Sequence, residues 1–257
     1  MNKIDLLFSR KKANLLSIYF TAGFPQLNDT VPIIQSLFES GVDMIEVGIP
    51  FSDPMSDGEV IQRSSEKALK NGMNLNLLFH QLQEVENYRH IPILLMGYLN
   101  PILQFGIQDF LKAALRAGID GVIIPDLPLE VYERELKSAF DEAGIKMIFL
   151  ITPQTSTSRI RKIDQITQGF VYMVTSASTT GANRKFGEQH VEYFRSIRDM
   201  RLRNPVLAGF GINNRSAFDT ACEYVQGAIV GSGFIDSIST SPLQPDNIVH
   251  YINSLRS

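Results

Sequence analysis

Two carboxylates carry the most chemical information in this chain. Glu46 interrupts an apolar run, Met44-Ile45-Glu46-Val47-Gly48-Ile49, and strand alternation puts it with Met44 and Gly48 on the face opposite Ile45 and Val47. A carboxyl group on a buried face must be paired, solvated by a pocket or protonated. Strand-end acids with displaced pKa are enriched in active sites, and a hydrogen-bonded acid with no catalytic part is the structural alternative. The following segment, Pro50 to Glu59, holds further acids. Asp53-Pro54 reads as turn chemistry, and Ser56 to Glu59 fits a capping box that would place Asp57 in a first helical turn. A general acid and a general base must flank one substrate, so Glu46 and Asp57 form the candidate catalytic pair.

Two Gly-rich turns near the end of the sequence offer an anion site. Gly209-Phe210-Gly211-Ile212 and Gly231-Ser232-Gly233-Phe234 each follow a short apolar run. Backbone N–H groups at Gly211, Gly231 and Ser232 could approach a phosphate, with Phe234 to Ile238 as a short helix beside it; tight turns that simply need glycine are the plainer reading. Ser178-Thr179-Thr180-Gly181 is a polar turn suited to a lid, with Thr180 at its centre. Tyr19, Met96, Tyr98, Tyr172 and Phe210 fall near the ends of apolar runs and suit a pocket for a flat aromatic group, though such residues are more often core. His80, His90, His190 and His250 lie away from these ends, so no metal ligand is assigned. The single cysteine, Cys222, reads as a small core residue.

These residues need a scaffold, and the chain repeats one phrase: a Gly that closes a helix, a β-branched apolar run, then Pro or Gly. It occurs at 41–50, 118–125, 144–153 and, shortened, at 226–231; Leu15 to Thr21, Ile93 to Tyr98, Phe170 to Thr175 and Pro205 to Phe210 complete a set of eight. Most runs are continuously apolar, as in parallel strands covered on both faces. Amphipathic stretches, including Thr30 to Ser40, Leu129 to Ala143 and His190 to Arg201, lie between them. Eight βα units in 257 residues predict a (β/α)8 TIM barrel spanning 1–257 as a single domain. The first turn, Thr21-Ala22-Gly23-Phe24-Pro25, lacks the Gly-rich fingerprint of a doubly wound dinucleotide fold.

With 24 Lys+Arg against 27 Asp+Glu, the net charge of −3 argues against a nucleic-acid surface. One cysteine permits no internal disulfide. No signal peptide or membrane-spanning run is read, so a cytoplasmic location is expected. No Lys falls at the C-terminal end of a strand-like run, which disfavours a Schiff-base aldolase; Lys146 begins its run. A catalytically weak regulatory barrel would be expected to have lost one of the two acids.

The segment Glu46-Val47-Gly48-Ile49-Pro50-Phe51-Ser52-Asp53-Pro54-Met55-Ser56-Asp57-Gly58 resembles the signature of the tryptophan synthase alpha subunit family. The resemblance extends through Thr21 to Pro25, Leu95-Met96-Gly97-Tyr98-Leu99-Asn100-Pro101, Pro125-Asp126-Leu127-Pro128, Thr180-Gly181 and Gly209 to Ile212. It implies retro-aldol cleavage of indole-3-glycerol phosphate to indole and glyceraldehyde 3-phosphate. It implies Glu46 as the acid that protonates indole C3 and Asp57 as the group holding the indole N–H. Gly181, Gly211, Gly231 and Ser232 would take the phosphate; Tyr19, Met96, Tyr172 and Phe210 would surround the indole. The family also implies a beta subunit partner in an α2β2 complex, with pyridoxal phosphate in the partner and no cofactor in this chain. Apolar segments at Phe51, Met55 and Pro101-Ile102-Leu103 with Phe105 are the expected docking loops. Departures from the common pattern fall at Ser56, Glu59, Ser178, Thr179 and Tyr19, where Phe is frequent, and spare both carboxylates.

Overall fold

The computed structural model describes residues 1–55, 57–85, 90–175, 187–239 and 242–256. Eight parallel strands close into a barrel in sequence order: β1 (Leu15–Thr21), β2 (Met44–Gly48), β3 (Ile93–Met96), β4 (Gly121–Ile123), β5 (Lys146–Ile151), β6 (Val171–Val174), β7 (Val206–Gly209) and β8 (Gly227–Val230). The helices are α1 (Lys3–Arg10), α2 (Thr30–Glu39), α3 (Glu59–Lys70), α4 (Leu75–Gln83), α5 (Leu99–Phe105), α6 (Ile107–Arg116), α7 (Leu129–Val131), α8 (Lys137–Ala143), α9 (Thr157–Ile166), α10 (Glu188–Asp199), α11 (Arg215–Cys222), α12 (Ser232–Ser237) and α13 (Pro245–Arg256). The eight runs expected from the sequence all form strands; β1 keeps the expected bounds, and the other seven are trimmed where the apolar stretch passes into a turn.

Strand alternation divides the core in two. Ile18, Phe20, Ile45, Val47, Leu95 and Val122 point outward into a layer shared with the helices. Tyr19, Met44, Leu94, Met96, Ile148 and Tyr172 point inward and fill the barrel. Because both faces of each strand are covered, neither face can be polar without a specific partner, which explains the continuous apolar runs. The helices end where the sequence phrase placed glycine: Gly144 adopts φ 67° to close α8, a conformation that costs a Cβ-bearing residue.

The stretch Leu129 to Ala143, expected as one amphipathic helix, contains a π-helical turn at Tyr132–Leu136 between α7 and α8. An inserted residue of this kind leaves no trace in a 3.6-residue apolar pattern of this length.

Helix α1 stoppers the N-terminal end of the barrel. Ile4 and Phe8 join the interior cluster, with Ile4 fully buried. The Asn2 side chain donates to the Asp120 carbonyl at 2.8 Å, Lys3 pairs with Asp120 at 2.7 Å, and Lys146 pairs with Asp5 at 2.9 Å. Each ion pair keeps one member open to water, Lys3 beside buried Asp120 and Asp5 beside Lys146, and such pairs are worth about 1 kcal/mol or less, whereas burying Ile4 contributes about 1.5–3 kcal/mol. Apolar burial therefore seats the helix and the ion pairs set its orientation. Asp43, just ahead of β2, accepts from the Leu16 N–H at 2.8 Å, from Lys11 at 2.7 Å and from Arg256 at 3.3 Å. One carboxylate thus ties together β1, the segment after α1 and the last turn of α13.

Candidate active site

Glu46 sits in the middle of β2, paired in register with Tyr19 on β1 and Leu94 on β3, and points into the barrel as the alternation required. It is fully buried. The Ser17 hydroxyl donates to Oε1 at 2.8 Å, while Oε2 has no hydrogen-bond partner among the described residues. Burial disfavours the charged form and pushes the Glu46 pKa up to about 8, against a smaller lowering by Ser17. At neutral pH this side chain is a neutral acid that holds a proton in an apolar chamber.

Asp57 lies one residue before Gly58, which is the N-cap of α3. The expectation of Asp57 inside the first helical turn is therefore corrected, and Ser56, the other end of the expected capping box, lies outside the described residues. Glu59 takes the first-turn position that favours an acid. The Asp57 carbonyl accepts from the Gln62 side chain at 2.8 Å, which holds its backbone to the helix. Its carboxyl is raised by burial to about 6, with a hydrogen bond from Tyr98 opposing the rise. The two acids are thus separated by environment: Glu46 is protonated and Asp57 ionised around neutral pH.

The expected pocket residues converge at this end of the barrel. Tyr19, Met96 and Tyr172 are buried members of the interior cluster, and Phe210 packs edge-on to Tyr172 with ring centroids 6.2 Å apart. Both phenols stay neutral, because burial raises the Tyr19 and Tyr172 pKa values well above the ordinary tyrosine value, and the negative charge of Asp57 acts the same way. Tyr19 reaches across β2: a Cβ on Gly48 would lie 2.6 Å from the Tyr19 ring, so only glycine admits the ring there. Gly209 stands in the same relation to Tyr172.

Gly211 follows β7 directly beyond Phe210, whose positive φ of 65° is held by a hydrogen bond from the Thr175 hydroxyl to the Phe210 carbonyl. Gly231 is the N-cap of α12, and Ser232 is its first residue, so the short helix begins two residues earlier than expected. A Cβ on Gly231 would lie 3.3 Å from the Tyr19 ring, which brings this turn to the edge of the aromatic pocket. Thr180 and Gly181, with Ser178 and Thr179, lie outside the described residues.

Two residues acquire a part that the sequence did not assign. Ser17 is the sole donor shown for Glu46, and Tyr98, expected only as an aromatic pocket wall, donates to Asp57. The available signal for Ser17 was its inward spacing, two residues from Tyr19 in a strand otherwise almost wholly apolar. Of the apolar loop residues, Met55 and Leu103 are exposed. Ile102 is instead fully buried, because α5 turns it into the core, and Phe105 packs on Phe79 at 5.5 Å. Phe51 is half-buried against Tyr98 at 5.2 Å. Lys146 is at the opposite end of the barrel beside Asp5. A cavity of about 180 Å³ lined by Ile124, Leu129, Phe149 and Arg159 includes neither carboxylate. Among the described residues no cluster of His, Cys, Asp or Glu could hold a metal ion, and no helix is long and apolar enough to cross a membrane.

The arrangement has close relatives. The chain is 50% identical over 256 residues to the tryptophan synthase alpha chain of Parabacteroides distasonis, with all of both chains covered. It is 54% identical over 235 residues to that of Bacteroides thetaiotaomicron, covering 91% of this chain and 92% of the relative. Among solved structures, the alpha chain from Legionella pneumophila superposes with a TM-score of 0.88 at 32% identity, covering 100% of this chain and 96% of the other. A chain of the tryptophan synthase complex from Pyrococcus furiosus gives 0.86 at 34%, covering 95% and 98%. A family model described as tryptophan synthase alpha chain matches residues 6–255, a span that contains the barrel and both carboxylates. On this agreement of sequence and architecture, the chain belongs to the tryptophan synthase alpha chain family.

Proposed function

We propose that this protein is a carbon–carbon lyase that cleaves indole-3-glycerol phosphate to indole and glyceraldehyde 3-phosphate. The observation that carries the reading is the pair of unlike carboxyl groups, a protonated Glu46 and an ionised Asp57, at the aromatic end of one barrel. Glu46 delivers its proton to indole C3. The ring nitrogen then bears the positive charge, and the Asp57 carboxylate accepts its N–H and balances that charge. Glu46, now a carboxylate, takes the proton of the side-chain hydroxyl as the carbon–carbon bond breaks and its electrons return to the ring. The net change moves one proton from the hydroxyl to C3, and both acids end in their starting states. Tyr19, Met96, Tyr172 and Phe210 surround the indole, and backbone N–H groups at Gly211, Gly231 and Ser232, together with Gly181 and Thr180, take the phosphate and close over it.

The neutral product suits direct transfer to a second protein. A beta subunit in an α2β2 complex would receive the indole, and the pyridoxal phosphate would belong to that subunit. Exposed apolar Met55, two residues before Asp57, and exposed Leu103 on α5 support such a partner. The test is to incubate the purified protein with indole-3-glycerol phosphate, with and without a tryptophan synthase beta subunit, and to measure indole. Indole is expected in both cases, faster with the partner. No indole in either would overturn the reading, as would a Glu46→Gln protein that keeps more than about a tenth of the turnover, since a positioned acid contributes about 10²–10⁴ in rate.

A further inference from the structure

Ser17 is a fully buried polar side chain inside an apolar barrel, one inward position below Tyr19 on β1. Its ladder partners are Met44 on β2 and Ile229 on β8, neither of which can use a hydroxyl. Burying a hydroxyl without a partner is costly, so its placement calls for an acceptor, and that acceptor is Glu46 Oε1 at 2.8 Å. The other carboxyl oxygen, Oε2, has no partner among the described residues. The titratable groups facing Glu46 are Tyr19 from β1 and Tyr172 from β6, with Asp57 beyond them. Tyr19 shares a hydrogen bond with Thr21, which is linked in turn to Ser64 on α3 at 2.6 Å.

A serine hydroxyl donates one hydrogen, and a protonated carboxyl carries its own hydrogen on one oxygen only. We infer that Ser17 is a positioning residue for the acid: by holding Oε1 as an acceptor it directs the carboxyl proton to Oε2, the oxygen left free to meet the reacting carbon. When that proton leaves, the hydrogen bond from Ser17 becomes one to a charged oxygen and strengthens. Ser17 therefore stabilises the state after proton transfer more than the bound substrate, which raises kcat and leaves KM alone. This rests on Glu46 as the proton donor of the proposed lyase reaction.

Two variants separate hydrogen bonding from packing. Ser17→Ala removes the donor and leaves a small void; Ser17→Cys fills the volume with a weak donor. In both, kcat is expected to fall about tenfold or more, KM to stay within about twofold, and the basic limb of the pH profile to move above about 8. The infrared C=O stretch of protonated Glu46, identified by its loss in Glu46→Gln, should move to higher wavenumber without substrate present. An unmoved band with wild-type kcat in both variants would overturn the inference, and so would full recovery of kcat in Ser17→Cys, which would make Ser17 a space-filler. A wild-type protein that makes no indole overturns the lyase reading itself, whereas an unmoved band in a protein that does make indole removes only the part given to Ser17.

Discussion

Replacing Tyr98 by Phe isolates what keeps Asp57 ionised. The ring stays, packed on Phe51, and only the donor to the carboxylate is lost. A hydrogen bond to a charged group is worth about 1.5–3 kcal/mol, and Asp57 is half-buried, so the lower end applies; about 1.4 kcal/mol corresponds to a pKa change of about 1. Asp57 would then titrate near 7 instead of about 6. The reaction needs Asp57 ionised and Glu46 protonated, so the acid limb of kcat/KM belongs to Asp57 and the basic limb, near 8, to Glu46. At pH 6 the ionised fraction of Asp57 drops from about one half to about one tenth, a fivefold loss; at pH 7 the loss is about twofold, and by pH 8 it nearly vanishes. Indole formation measured from pH 5 to 10 at constant ionic strength, at substrate well below KM, reads this directly. An acid limb that stays in place, or moves to lower pH, would refute the assignment of that limb and of the donor.

Stability should carry the same signature for Glu46. Its folded pKa is above the unfolded value of about 4.5, so its favourable contribution is complete below pH 4.5 and is lost as pH rises to about 8; the Tm of Glu46→Gln relative to wild type should therefore climb across that window and level off above it, and a flat difference would contradict the raised pKa. Ile4→Ala should cost about 2–5 kcal/mol in denaturant unfolding with kcat unchanged, because it unseats α1 at the end of the barrel remote from the acids; a large loss of kcat would show that the stopper and the site are coupled. Ser232→Asp should raise KM for the phosphorylated substrate by charge repulsion while leaving kcat at saturation nearly intact, and an unchanged KM would place the phosphate elsewhere.

The architecture was legible because a parallel barrel writes a strong pattern: every strand is covered twice, so each is an apolar run, and glycine at Gly118 or Gly144 marks where a helix hands over to the next strand. Glu46 stood out for the same reason, as a charge where the fold tolerates almost none. What the pattern did not carry was partnership. Ser17 and Glu46 are on different strands, and nothing local says that residue 17 stands over residue 46; the ladder register decides it. Tyr98 reads as one more aromatic until the segment before α3 brings Asp57 to its hydroxyl. Asp57 itself was expected two residues too far into the helix, because Ser-x-x-Glu is a valid capping pattern and Gly58 is an equally valid N-cap. The apolar segment at 101–105 divides for the same reason: helical periodicity turns Ile102 inward and leaves Leu103 exposed, a split that only the helix reveals.

Asp43 has a practical consequence for anyone who wishes to rewire or immobilise this chain. Lys11 and Arg256 reach the same carboxylate, so the segments bearing the two ends of the polypeptide come together at the pole of the barrel away from Glu46 and Asp57. A flexible linker long enough to run back along α1 could join the ends, and new ends could be opened in an exposed turn at that pole, such as the one at Gly144, giving a circular permutant with every βα turn of the reactive face left continuous. A surface tether attached at either end would likewise leave that face pointing outward, open to substrate and to a partner protein.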